Sequence, residues 1–177
     1  MAKYKKILVA VDGSDSSLYA LRETLRFAKR EEARVSAISV VPPYDGDLGS
    51  MWVNNVKDIL VVPYEEALSR AREIFEEESV PVNLIDEEGE VYERIVDVAD
   101  AGDYDLIVMG REGRSRLGGA LIGSTTARVI GYSQTDVLVV PEGAAIDWGA
   151  ILLPADGSKY SELAAGKAID LARAYCR

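Results

Sequence analysis

Residues 7 to 11 read Ile-Leu-Val-Ala-Val, an unbroken apolar run that stops at Asp12-Gly13-Ser14. A β-branched run without polar alternation predicts a strand covered on both faces. Behind it the period changes. Leu18, Leu21, Leu25 and Ala28 recur at spacings of three, four and three, on one face of a helix that Ser14 or Asp15 can cap. The alternation continues along the chain. Val35 to Val41 predicts a second strand; Ala67, Leu68, Ala71, Ile74 and Phe75 mark a helix face opened by Pro63; Val82 to Ile85 predicts a third strand. Val91, Ile95, Val98 and Ala99 suit a helix, Leu106 to Met109 a fourth strand, Ser124 to Ile130 a helix, and Val137 to Val140 a fifth strand ended by Pro141.

Strands alternating with helices in this way predict an α/β fold, a doubly wound five-stranded parallel sheet with helices on both faces. Such sheets bind ligands at the carboxyl ends of their strands, where strand order reverses, so the segments after strands one and four come forward as the place for chemistry. Residues 42 to 62, with Pro42, Pro43, Gly46, Gly49 and the pair Met51-Trp52, form the one long connection. That length suits a mobile segment or a ligand-covering lid.

The chain also repeats itself at an offset of 144 residues. Lys6-Ile-Leu-Val-Ala-Val-Asp-Gly-Ser14 aligns with Ala150-Ile-Leu-Leu-Pro-Ala-Asp-Gly-Ser158, and Ser17, Ala20 and Ala28 match Ser161, Ala164 and Ala172. The expected organisation is therefore a domain over residues 1–142, a linker over 143–148, and a partial second repeat, first strand and helix only, over 149–177. One strand and one helix cannot bury their apolar faces alone. The tail therefore belongs to a longer tandem protein, is exchanged with another chain, or lies on the first domain; the first of these is the leading expectation.

Composition narrows the chemistry. Hydrophobic residues make up 48% and charged residues 28% of the 177, as in a soluble globular protein. Histidine is absent, which removes imidazole bases, His-Asp relays and His-ligated zinc, and Cys176 is the only cysteine, so no disulfide framework exists. A net charge of −10 argues against nucleic acid as a partner. No apolar run has the length of a membrane span, and Met1-Ala2-Lys3-Tyr4-Lys5-Lys6 passes directly into a strand. The expectation is a cytoplasmic protein that binds no membrane.

Against that acidic background one stretch differs, Val108-Met-Gly-Arg-Glu-Gly-Arg-Ser-Arg-Leu-Gly-Gly-Ala-Leu-Ile-Gly-Ser-Thr-Thr126. Its order is strand, glycine-rich loop, helix, and its Arg111, Arg114 and Arg116 outnumber Glu112. Gly110 and Gly113, where the strand ends, allow backbone conformations and close approaches that a side chain would forbid. Gly123-Ser124-Thr125-Thr126 opens a helix whose free N–H groups and dipole suit an anion, with the Ser124 and Thr126 hydroxyls as further donors. Two other phosphate loops fit poorly. The first strand is not followed by GxGxxG, and Gly118 to Gly123 has Walker spacing but carries Ser124 where lysine is required.

The opening Ile7-Leu-Val-Ala-Val-Asp-Gly-Ser14, the pattern Gly110-xx-Gly113-x9-Gly123-Ser124 and the closing Val137-Leu-Val-Val-Pro141 resemble the ATP-binding branch of the universal stress proteins. The resemblance covers residues 4 to about 142. It implies an adenine nucleotide alpha hydrolase-like sandwich that binds ATP or AMP, with or without Mg2+ or Mn2+, and forms a homodimer, often through the last strand. It further implies that Asp12 contacts the adenosine, that Val40 flanks the adenine, and that Gly110, Gly113, Gly123, Ser124, Thr125 and Thr126 cradle ribose and phosphates. The tail would open a second such domain. Glu112 departs from what suits a triphosphate, and either points outward or helps hold a divalent cation. The residues together with the resemblance lead to the expectation of a nucleotide-binding regulator, a stress-response protein as the resemblance implies, with no catalytic residue. A nucleotide-independent dimeric interaction module and a slow ATPase are the alternatives.

Overall fold

The computed structural model describes residues 3–43, 56–113 and 122–175, and for 56–60 the backbone alone. Met51, Trp52, Arg114, Arg116 and Gly118 lie outside the described residues, as does most of the long connection. The elements run β1 (Lys6–Ala10), α1 (Asp15–Glu31), β2 (Arg34–Val41), α2 (Val56–Glu77), β3 (Leu84–Glu88), α3 (Val91–Ala101), β4 (Leu106–Gly110), α4 (Ser124–Tyr132), β5 (Asp136–Val140) and α5 (Lys159–Tyr175). All five strands are parallel, in the order β3-β2-β1-β4-β5. No helix among the described residues is long and apolar enough to cross a membrane.

Side-chain alternation divides the core into two layers. Ile7, Val9, Val35, Ala37, Leu106 and Val108 join Leu21, Leu25 and Phe27 of α1 and Ala71 and Phe75 of α2 on one face. Leu8, Ile38, Val40, Ile107 and Met109 meet Ile95 and Ala99 of α3 and Val129 of α4 on the other. The central strands are covered on both sides, which is why they read as continuous apolar runs. Ser14 caps α1, its side chain accepting from the Ser17 N–H.

Three expectations are corrected. The third strand starts at Leu84 and runs into Asp86-Glu87-Glu88, because it is an edge strand, half exposed, that pairs only with β2. Helix α2 begins at Val56 and encloses Pro63, which therefore does not open it. An interior proline forfeits one hydrogen bond and costs roughly 3 kcal/mol, a loss outweighed where Ala67, Ala71, Ile74 and Phe75 are buried just beyond it. In the tail, the helix of the repeat forms as α5, but residues 150–154 pair with no strand.

The tail lies on the first domain. Residues 143–148 bring Ile146 into the core and set Trp148 against Phe27, with ring centroids 6.4 Å apart. Tyr175 at the end of α5 stacks on Trp148 at 5.6 Å, and its hydroxyl accepts from the Lys3 N–H at 3.3 Å. Lys167 donates to Asp136 of β5 at 2.6 Å.

Candidate functional site

The chain builds outward from β1 to β2 and β3, then returns to place β4 and β5 on the other side. Strand order therefore reverses between β1 and β4, and the crevice at their carboxyl ends is where doubly wound sheets take ligands. A cleft of about 300 Å³ lies there, at the small end of the range for small-molecule sites. Asp12, Val40, Gly110, Gly113, Gly123, Ser124, Thr125 and Thr126 all line it. Positions 12, 40, 110, 113 and 123–126 thus converge on one cavity.

Asp12 is held in place by a local network. Its Oδ1 accepts from the Ser14 N–H at 3.0 Å and from the Ser14 hydroxyl at 2.6 Å, and the Ser17 hydroxyl, which accepts from the Asp12 N–H, donates to the Ser14 carbonyl at 2.9 Å. The turn needs Gly13, whose φ is +80°. Arg70 of α2 donates to the Gly13 carbonyl at 2.9 Å, tying the helix to the rim of the cleft.

Across the cleft the loop after β4 packs against the head of α1. A Cβ on Gly110 would stand 2.8 Å from the Ser16 backbone, and one on Gly113 would stand 2.8 Å from Asp12 Oδ2. Gly110 is required for clearance against backbone, whereas a side chain at Gly113 would have to displace the Asp12 carboxylate. Neither has a positive φ, so the backbone freedom expected of them is not used. Gly123 differs: φ is −62°, and a Cβ there would meet its nearest atoms at an ordinary 3.5 Å. Among the described residues nothing demands glycine at 123. What a side chain would fill is the space at the mouth of α4.

Gly123 is the N-cap of α4 and brings no capping side chain. No described side chain accepts from the first-turn N–H groups, which stand at the positive end of the helix dipole. Ser124 is exposed and Thr125 half-buried at this end. Thr126 is buried, and its hydroxyl donates to the Gly110 carbonyl at 3.2 Å, so it closes the loop internally instead of serving as an outward donor. The Gly123 N–H donates to the Arg111 carbonyl at 2.8 Å, completing the clamp.

The opposite end of the cleft is apolar, formed by Ile38 and Val40 of β2, Val91 and Ile95 of α3, and Met109 of β4. Sequence reasoning singled out Val40 alone. Ile38 was recoverable from the two-residue period of the strand, whereas Val91 and Ile95 arrive only through packing of α3 on the sheet. Tyr64 joins the lining from α2; no local signal marks it, because it follows a proline read as a helix start. Glu112 also lines the cleft, with Arg111 donating to its Oε1 at 3.0 Å. The lining of the cleft thus offers apolar side chains, a carboxylate held by its own turn, and a helix start at which no described side chain serves as cap.

With that geometry in place, residues 3–141 match the universal stress protein family. The chain belongs to this family. It is 37% identical over 139 residues to a universal stress protein of Methanocaldococcus jannaschii, covering 77% of this chain and 82% of that one. Among solved structures it is similar to a universal stress protein in complex with cAMP, at 27% identity and TM-score 0.60, over 78% of this chain and 97% of the other. It is similar also to the universal stress protein of Archaeoglobus fulgidus in complex with dAMP, at 25% identity and TM-score 0.55, over 78% and 98%.

Proposed function

We propose that the cleft binds an adenine nucleotide, AMP or ATP, and that the bound form sets the state of a stress-response regulator. The supporting observation is the single cavity at the β1–β4 switch point that gathers all eight candidate residues. Its apolar slot suits a purine between Val40, Ile95 and Met109, the Asp12 carboxylate suits sugar hydroxyls as an acceptor, and the α4 start suits phosphate. Relatives of the same fold that hold cAMP and dAMP support the choice of adenine. Among the described residues no three metal-ligating side chains come together, so a Mg2+ or Mn2+ would be carried by the phosphates. No residue is assigned a catalytic role.

The same reading extends to assembly. Strand β5 is an edge of the sheet with Asp136 to Val139 half exposed, and a homodimer along that edge is proposed. Residues 149–177 are proposed to be the opening of a second copy of the domain.

Titration calorimetry with AMP and with ATP tests the site. A Cβ at 123 meets described atoms only at ordinary contact distance, so Gly123→Leu should lower affinity at least tenfold while leaving thermal unfolding within a few degrees of the parent. Unchanged affinity in that variant would place the ligand elsewhere.

A further inference from the structure

We propose that Tyr64 is the residue that selects the base, its ring covering a purine seated against Val40 and Met109, so that the site prefers purine over pyrimidine nucleotides. This rests on the adenine-nucleotide reading of the cleft and adds to it the contact that sets base specificity.

The order of the sheet shows where Tyr64 enters. Strands β2 and β4 lie on opposite sides of β1; α2 packs mainly on α1, β2 and β3, whereas α4, whose start suits phosphate, packs mainly on α3 and β5. Tyr64 of α2 thus joins the lining on the side of the sheet that supplies Ile38 and Val40. It also comes from the other layer. Ile38, Val40, Ile95 and Met109 belong to the core beneath α3 and α4, while α2 packs with α1 on the opposite face. The base end of the cleft therefore receives aliphatic side chains from one layer and Tyr64 from the other. Among the described lining residues Tyr64 is the only aromatic one.

Tyr64 is set in place by the same turn that holds Asp12. Pro63, Ala67 and Arg70 share one face of α2, and all three meet Gly13: a Cβ there would stand 3.3 Å from Ala67 Cβ and 3.8 Å from the Pro63 carbonyl oxygen, and Arg70 donates to the Gly13 carbonyl at 2.9 Å. Tyr64 thus rides on a helix fastened to the rim, and it is half-buried there. A tyrosine offers a large flat contact at little cost in freedom. Relative to alanine, stacking on an aromatic side chain strengthens the binding of a base about five- to hundredfold. That gain grows with the area covered, so the two rings of a purine draw more from it than the single ring of a pyrimidine.

The test is titration calorimetry with AMP and with CMP on the full chain, on Tyr64→Phe and on Tyr64→Leu. The unaltered chain should bind AMP at least tenfold more tightly than CMP. Tyr64→Leu, which keeps apolar bulk but loses the ring, should weaken AMP about tenfold and CMP no more than about threefold. Tyr64→Phe keeps the ring and should leave both within about twofold. Equal affinity of the unaltered chain for AMP and CMP, an equal loss of both in Tyr64→Leu, or no loss of either overturns the proposal while the adenine site stands. Failure of AMP and ATP alike to bind the unaltered chain overturns the site reading and this proposal with it. Should the variants not fold, or CMP bind too weakly to titrate, NMR of the unaltered chain decides the matter. Bound AMP should show nuclear Overhauser contacts from its H2 or H8 proton to the Tyr64 ring, with that proton shifted upfield by the ring, and bound AMP without them overturns the proposal.

Discussion

Asp12-Gly13-Ser14 at the head of α1 and Asp156-Gly157-Ser158 at the head of α5 fold into the same turn. The aspartate Oδ1 accepts from the serine N–H at 3.0 and 2.9 Å, the serine caps the helix from residues 17 and 161 at 3.2 Å in both, and the glycines have φ of +80° and +79°. The helices that follow are both 17 residues long, Asp15–Glu31 and Lys159–Tyr175. What precedes each turn differs. Residues 6–10 are the central strand of the sheet, whereas 150–154 form no strand, and Leu8 is fully buried where its counterpart Leu152 is 95% exposed. Six residues with Asp, Gly and Ser at fixed offsets satisfy their own backbone groups and so carry the turn with them. A strand needs a neighbour to satisfy its backbone, and the tail, lying over an existing domain, has none.

Core substitutions separate the two regions most widely. Leu25 and its counterpart Ile169 occupy the same helical position, but one is fully buried and the other half exposed. Leu25→Ala should cost roughly 2–5 kcal/mol in chemical denaturation, and Ile169→Ala less than about 0.5 kcal/mol. Similar costs for both would mean that Ile169 is covered in solution by another copy or another domain.

The paired glycines give a smaller contrast. Alanine at either position meets the same left-handed backbone, a strain of about 1–2 kcal/mol. A Cβ on Gly13 also stands 3.3 Å from Ala67 Cβ on α2, while nothing lies within 4 Å of one on Gly157. Gly13→Ala should therefore lower the main unfolding transition more than Gly157→Ala and weaken nucleotide binding by shifting Asp12. For Gly157→Ala, hydrogen exchange should rise at the head of α5, with the domain transition nearly unmoved.

That contrast also marks what the amino-acid order could reveal. Unbroken apolar runs and the 3.6-residue period marked the order of strands and helices in the first domain, the glycine spacing marked six of the residues that line one cleft, the reversal of strand order marked Asp12, and the family resemblance added Val40. Ser14 as a cap was legible because its signal is local. The displaced third strand was not, since an edge strand can carry Asp86, Glu87 and Glu88 on its exposed side. Nor were Tyr64, Val91 and Ile95, which reach the cleft only once α2 and α3 dock on opposite faces of the sheet. Thr126 was legible as a member of the site but not in its role, because its hydroxyl turns inward to the Gly110 carbonyl. The tail strand failed because sequence similarity transmits a turn more faithfully than it transmits the neighbours a strand requires.

The smallest contrast is electrostatic and confined to the tail. Hydrogen bonds from Ser158, side chain first and then backbone, and from Ser161 hold the Asp156 carboxyl below its ordinary value. A carboxyl whose pKa is lower folded than unfolded stabilises the structure above its unfolded pKa and loses that contribution as pH falls through the folded one. The head of α5 should therefore loosen below about pH 4, by a modest amount because the carboxyl is solvent-exposed and screened. Amide shifts of Ser158 and Ser161 followed by NMR against pH report it directly. Ser158→Ala should return the midpoint toward that of a free aspartate, with the main unfolding transition left in place. If that transition moves together with the Ser158 amide, the tail and the domain unfold as one unit, and the contacts of Trp148 and Tyr175 with Phe27 are strong enough to couple them.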